Sequence, residues 1–315
     1  MTSSSLELDF HRSLSEALEL LQDHKGAFVG NHPSDAQHVA SALPSLIERC
    51  REAVAKADSQ SRPPVRMLHH LACTGGTLVS RCLACQPNVQ LLSEVDPLTT
   101  LPYSRPFVPT DMIGLAKLGS RPPSTDVLIE IFMAGLGALY ADSRLRGRYL
   151  VLRDHTHSHF NVGPDIPTRQ TLRDMVRKQY PVRSIVTVRH PLDSFLSLRK
   201  NGWKHFSPFT LEEYAVRYHA FLDCYSDVEL FRYEDFVAEP KDRTAQMCEV
   251  LQIPYNPDFL DVFSAIKLSG DSGRSGNTIS ARPRQANGQD LLDEAMTSKS
   301  FASLLERLNY QLITQ

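Results

Sequence analysis

Hydrophobic positions along the chain change their period near residue 63. In the first 62 residues Leu14, Leu18 and Leu21, and then Val39, Leu43, Leu46 and Ile47, recur at helical spacing between polar breaks. The stretch Ala57 to Pro64 (ADSQSRPP) reads as a linker. This predicts a helical N-terminal extension over 1–62, to which no chemistry can be attached, and a separate domain over 63–315. From Val65 onward the pattern alternates. An apolar run, Val65 to Ala72, meets the turn-forming Cys73 to Thr77, and Leu78, Val79, Cys82 and Leu83 then recur at helical spacing. Further strands are predicted at Val89 to Leu92, Tyr149 to Arg153, Ser184 to Arg189 and Val228 to Tyr233. Helices are predicted at Asp126 to Leu145 and over 191–201, 210–225, 241–251 and 290–309. Strands alternating with helices imply an α/β fold, a mainly parallel sheet with helices on both faces. In such sheets ligands bind beyond the carboxyl ends of the strands.

Charge changes this picture only locally. A formal net charge of −2 over 315 residues argues against a dedicated nucleic-acid binder. Between Arg144 and Lys200, however, twelve Lys/Arg residues face four acids, which suits either a solvated basic face or a site for a polyanion. The first ten residues lack the basic and apolar regions of a signal peptide, and no stretch reaches the length of a membrane span. The six cysteines are scattered; Cys82 and Cys85 form a CxxC without a second pair, so they read as helix residues rather than zinc ligands. Free thiols fit a cytoplasmic protein.

Two constellations carry candidate chemistry. In Cys73-Thr74-Gly75-Gly76-Thr77, glycines between a strand and a helix let backbone N–H groups turn toward an anion, with the helix dipole behind them. Thr74 and Thr77 add hydroxyls. The loop lacks the Gly-Lys-Ser/Thr ending of ATP- and GTP-binding loops. The second is Arg189-His190-Pro191 followed by Ser194 and Ser197. An Arg at a strand end and a Ser in the next helix can hold one phosphate from two sides.

In this order, a Thr/Gly loop, Arg-x-Pro with Ser eight residues after the Arg, Arg232-Tyr233-Glu234-Asp235, and a late Gly/Arg loop at Ser269 to Arg274, the chain resembles the sulfotransferases over about residues 65–285. The resemblance implies a P-loop-like sulfotransferase architecture and the donor 3′-phosphoadenosine 5′-phosphosulfate, with adenosine 3′,5′-bisphosphate as product. It assigns Thr74, Gly75, Gly76 and Thr77 to the phosphosulfate, Arg189 and Ser197 to the 3′-phosphate, and Arg274 to the same phosphate from the late loop. The family has Lys or Arg where this chain has Cys73. Arg153, at the end of the third expected strand, is the substitute that the resemblance suggests.

Sulfuryl transfer needs a base for the acceptor's proton. Glu94, after the second strand, and His155, after the third, are the two candidates, and sequence leaves the choice open. A rival reading takes His155, His157 and His159 as zinc ligands, since alternating residues on an extended strand share a face; the family needs no metal for the transfer itself. Two other functions stay open: a P-loop kinase-like phosphotransferase, and a catalytically weak nucleotide-binding module. The acceptor, whether small molecule, sugar or peptide, is not named by the sequence, nor is any homo-oligomer.

Overall fold

A computed structural model describes residues 62–101, 110–269, 278–280 and 289–312. The expected helical extension lies outside these residues apart from Arg62. Strand β1 (Val65–His70) is buried at all six positions, as a central parallel strand covered on both faces must be. With β2 (Val89–Val95), β3 (Tyr149–Asp154), β4 (Val182–Val188) and β5 (Glu229–Arg232) it forms a five-stranded parallel sheet in the order β2-β3-β1-β4-β5. Leu68 of β1 stands beside Arg153 of β3 and Ile185 of β4.

Side chains along the strands alternate between the two faces of the sheet, over which three cores are built. Leu68, Ile185 and Phe231 pack with α1 (Gly76–Ala84) and with residues 236–263, whereas Val65, Met67, Leu150 and Leu152 pack against the helix of residues 125–145. Val186 and Val188 join a third core built on α6 (Pro191–Asn201), α7 (Leu211–Cys224) and residues 291–308. Helices therefore cover both faces. Between β2 and β3 lie α2 (Met112–Leu118) and α3 (Thr125–Leu145), and between β3 and β4 lie α4 (His157–Phe160) and α5 (Leu172–Arg177). After β5 come α8 (Tyr233–Ala238), α9 (Pro240–Leu251), α10 (Phe259–Val262), α11 (Gln289–Thr297) and α12 (Lys299–Arg307).

Local chemistry sets the helix ends. Helix α6 starts with Pro191, whose missing N–H costs nothing there, and stops at Gly202 in the left-handed conformation (φ 70°). The single helix expected over 290–309 is two. Ser298 accepts from the Phe301 N–H (3.1 Å) and starts α12 anew. No helix among the described residues is long and apolar enough to cross a membrane.

Candidate active site

Beyond His70 the chain turns through Cys73 (φ 67°) and Gly75 (φ 90°), and α1 begins at Gly76. Space demands both glycines. A side chain on Gly75 would meet the Tyr233 ring at 2.2 Å, and one on Gly76 would meet the His70 ring at 2.4 Å. The two threonines differ in role. Thr74 is buried and donates to the Leu71 carbonyl (2.7 Å), so its hydroxyl closes the loop on itself. Thr77 instead accepts from Arg153 Nη2 (3.0 Å).

Arg153 is the hub of the site. Its guanidinium, nearly buried, donates from Nε to His70 Nε2 (2.8 Å), from Nη1 to Ser93 Oγ (2.8 Å), and from Nη2 to Thr77 and to Glu94 Oε1 (2.6 Å). A guanidinium only donates, so His70 Nε2 must carry its lone pair, and the Nδ1–H donates to the Leu71 carbonyl (2.9 Å). Burial first, and the Arg153 charge second, push the His70 pKa well below its usual value. A neutral imidazole thus joins the anion loop to the arginine.

Glu94 reaches this hub by an irregularity in β2. The register with β3 shifts between Leu92 and Val95, and Glu94 itself is left-handed, at φ 60°. Such a bulge re-aims one side chain at some cost in backbone strain. One carboxylate oxygen meets Arg153, and the other lies 3.4 Å from His155 Nε2. The two base candidates are therefore neighbours. Ser93 and Ser269 exchange hydrogen bonds, hydroxyl to carbonyl, at 2.9 and 2.8 Å. Ser269 is thus held at the residue next to Glu94; Arg274 lies outside the described residues.

Arg189 stands on the other side of the loop. Its Nη1 donates to the Cys73 carbonyl (3.2 Å), and its guanidinium lies 5.2 Å above the Tyr233 ring. Ser197 donates to the Asp193 carbonyl of its own helix (2.8 Å). One turn later on the same face, Asn201 Nδ2 contacts Cys73 Sγ at 3.5 Å, so α6 runs along the loop. Ser194 plays no part in the site: it donates to the Pro191 carbonyl and accepts from Tyr214.

The zinc geometry is not formed. Residues 157–160 are a helical turn rather than an extended strand, so alternate histidines do not share a face. His155 faces Glu94, His157 is stacked with His155 at 6.4 Å, and His159 stacks on Phe160. Among the described residues no three His, Cys, Asp or Glu side chains are grouped to hold a metal ion. Asp154, at the end of β3, is buried and accepts from His69 Nδ1 (2.8 Å) and Tyr225 (3.0 Å).

No family model matches the chain, and no curated protein matches its sequence. Solved structures do. The sulfotransferase domain of the Synechococcus PCC 7002 olefin synthase superposes with a TM-score of 0.51 at 17% identity, over 79% of this chain and 96% of that one. This is the sulfotransferase fold. The sulfotransferase domain from the curacin biosynthetic pathway (TM-score 0.49, 17% identity) covers 80% of this chain and 99% of its own. Mouse sulfotransferase SULT7A1, complexed with PAP, is matched over 78% of this chain and 89% of its own (TM-score 0.39, 12% identity).

Within this sulfotransferase fold, Thr74 to Thr77, Glu94, Arg153, His155 and Arg189 all lie at the carboxyl ends of the strands, around one loop. Sequence reasoning passed over three residues that hold them. They are His70, Tyr233 and Ser93, to none of which the sequence pattern assigns a role. The consecutive His69-His70 before the loop was the one visible signal.

Proposed function

We propose that the chain is a sulfotransferase that moves a sulfuryl group from 3′-phosphoadenosine 5′-phosphosulfate to an acceptor hydroxyl. The observation that carries this reading is Arg153, which bridges the hydroxyl of the anion loop (Thr77) and a carboxylate able to take a proton (Glu94). What fits a phosphosulfate is that Arg153 donates to Thr77 on one part of the loop and Arg189 donates to Cys73 on another, so two guanidinium groups flank it.

In this reading the bound donor supplies the sulfuryl group and its phosphate leaving group. Gly75, Gly76 and Thr77 hold the phosphosulfate, with Thr74 shaping that loop through its hydroxyl bond to Leu71 rather than through a hydroxyl contact with the ligand; Arg189, Ser197 and Arg274 hold the 3′-phosphate. The acceptor oxygen bonds to sulfur as the sulfur–oxygen bond to the nucleotide phosphate breaks, and the acceptor's proton passes to Glu94 or His155. Arg153 does the electrostatic work that the missing basic residue at Cys73 would have done, and it fixes the Glu94 carboxylate.

The kinase-like alternative finds less support. The loop has no lysine, and Asp154, where a magnesium-holding carboxylate would stand, already serves His69 and Tyr225. A non-catalytic module would not need Glu94 in a strained backbone beside Arg153 and His155. Calorimetric titration with adenosine 3′,5′-bisphosphate, ATP and GTP tests the assignment. Tight binding of the bisphosphate alone is expected; preference for ATP or GTP sinks it.

A further inference from the structure

The helical turn after β3 holds buried polar atoms that nothing among the described residues satisfies. His157 is only 7% exposed, yet neither ring nitrogen has a hydrogen-bond partner among the described residues. Asn161, four residues on and on the same side of the turn, is fully buried with neither amide atom bonded. Burying such groups unpaired works against folding, and nearly all buried polar atoms in native proteins find a partner. A strip of four orphaned atoms therefore calls for a ligand group or ordered water.

Its surroundings point to a ligand. The His157 ring lies 6.4 Å from that of His155, which itself faces Glu94, and 6.3 Å from the indole of Trp203. Exposed His205 meets it edge-on at 5.4 Å. This wall is rigid. Arg217, fully buried, donates to the carbonyls of Phe160 (3.0 Å), Val162 (3.4 Å), Gly163 (3.0 Å) and Pro164 (2.7 Å) and to Glu213 (2.6 Å). Gly163 in turn donates its N–H to the His205 carbonyl (2.8 Å) and its carbonyl accepts from the Ser207 N–H (3.3 Å), so the Trp203–His205 loop is tied to the same segment.

Resting on the transfer reaction proposed above, we infer that His157, Trp203 and His205 form the acceptor subsite, and that the acceptor is a polyhydroxylated ring compound, a saccharide or cyclitol, rather than a simple alcohol. A neutral imidazole offers one donor and one acceptor, which a hydroxyl matches and a carboxylate or ammonium only half matches. One acceptor hydroxyl gives its proton at Glu94 and His155, and a second meets His157. Trp203, half-buried, and His205, exposed, border the buried His157 ring and are the aromatic groups a bound ring would meet first. An alcohol with no second hydroxyl leaves His157 unpaired, which is how sites built on hydrogen bonds reject incomplete ligands.

The test is ligand-observed NMR titration with myo-inositol, cis-1,2-cyclohexanediol and cyclohexanol, on the full chain alone and again with saturating adenosine 3′,5′-bisphosphate. Both polyols should bind at least about fivefold more tightly than cyclohexanol, the worth of pairing one buried polar group. His157→Phe should abolish that preference and raise the melting temperature, because it removes orphaned atoms; His157→Gln should keep the preference. In the wild type the His157 imidazole nitrogen signals should move with myo-inositol and not with cyclohexanol, a readout that survives if a variant fails to fold. Equal binding of the three compounds, binding of none, or a preference that persists in His157→Phe overturns the inference. A polyol preference without bisphosphate binding upholds this subsite and sinks only the donor assignment.

Discussion

Arg153 and Glu94 face each other at 2.6 Å across two strands, β3 and β2, and the pair exists only because Glu94 adopts a left-handed backbone. In a regular strand the register would not shift at this point, and Glu94 would not be turned as it is. The bulge places a carboxylate where a cation already serves the anion loop. Binding and proton transfer are thereby joined through one guanidinium.

Breaking this pair from the arginine side should be costly. Arg153→Met removes donors to His70, Ser93, Thr77 and Glu94 at once. Loss of one member of a largely buried pair typically costs about 3–5 kcal/mol, and the value here should fall toward the lower end because Glu94 is partly exposed. Urea unfolding measures it. A loss under about 1 kcal/mol would mean that the hub is dispensable.

Glu94→Gln should lower kcat by at least about a hundredfold with bisphosphate affinity nearly unchanged, the signature of a lost base. His155→Asn should cost less. Because the two side chains are 3.4 Å apart, the double variant should lose less than the product of the single losses. Steady-state kinetics of the three variants decides, and a collapse confined to His155→Asn transfers the role to the histidine.

Arg189→Met should narrow the preference for adenosine 3′,5′-bisphosphate over 5′-AMP by about tenfold or more, the usual worth of a charge-assisted hydrogen bond. The guanidinium sits against the Cys73 carbonyl and over Tyr233, so its removal should leave the loop folded. Calorimetry with the two nucleotides reads the ratio. An unchanged ratio would take Arg189 out of the phosphate site.

Gly76→Ala should disturb the loop more than a surface glycine would. The new methyl would lie 2.4 Å from the His70 ring, which is held by Arg153 and the Leu71 carbonyl and has no free direction to move. Overpacking of this kind costs about 1–3 kcal/mol. Gly147→Ala is the comparison: it meets no neighbour, although its φ of 63° also disfavours a side chain. Thermal unfolding should show Gly76→Ala less stable than Gly147→Ala, with bisphosphate binding reduced only in the former.

Acid should weaken the fold through His157. Burial lowers its pKa to about 3, against about 6.5 in an unfolded chain. Between these values the unfolded state binds the proton and the folded state does not, so stability falls as pH drops from about 6.5 toward about 3, by up to about 1.4 kcal/mol per pH unit. Above pH 6.5 the effect vanishes. His70 and His159 are lowered too and remain in the variant. Subtracting the His157→Phe curve from the wild-type curve, by urea unfolding at pH 7, 6 and 5, should isolate a slope of about one proton.

The sheet and the helices after β1 and β4 were legible because period and punctuation agreed. The helix over 191–201 was read with its observed bounds, since Pro191 and Gly202 mark its ends. Short helices such as α4 and α8 were missed because one turn of four to six residues shows no period. That same miss made His155, His157 and His159 look like a strand face. The loop and Arg189 could be read from residue type and order. What could not be read was the left-handed Glu94, the Tyr233 ring over Gly75 and the His70 ring against Gly76, since a backbone angle at one residue and a ring's position over a glycine leave no mark in residue type or order. Thr74 illustrates the limit: its type fits an anion site, but its hydroxyl is turned inward to Leu71.

Arg217 holds residues 160–164 by their carbonyl oxygens, and a carbonyl looks the same whatever side chain stands beside it. Val162, only partly buried, can therefore be exchanged for another residue while the path of the main chain persists. The same tolerance does not extend to Gly163, whose φ of 75° ties the loop to a residue without a side chain. Descendants of this protein could thus revise what the wall recognises one substitution at a time, without first having to rebuild the frame that carries it.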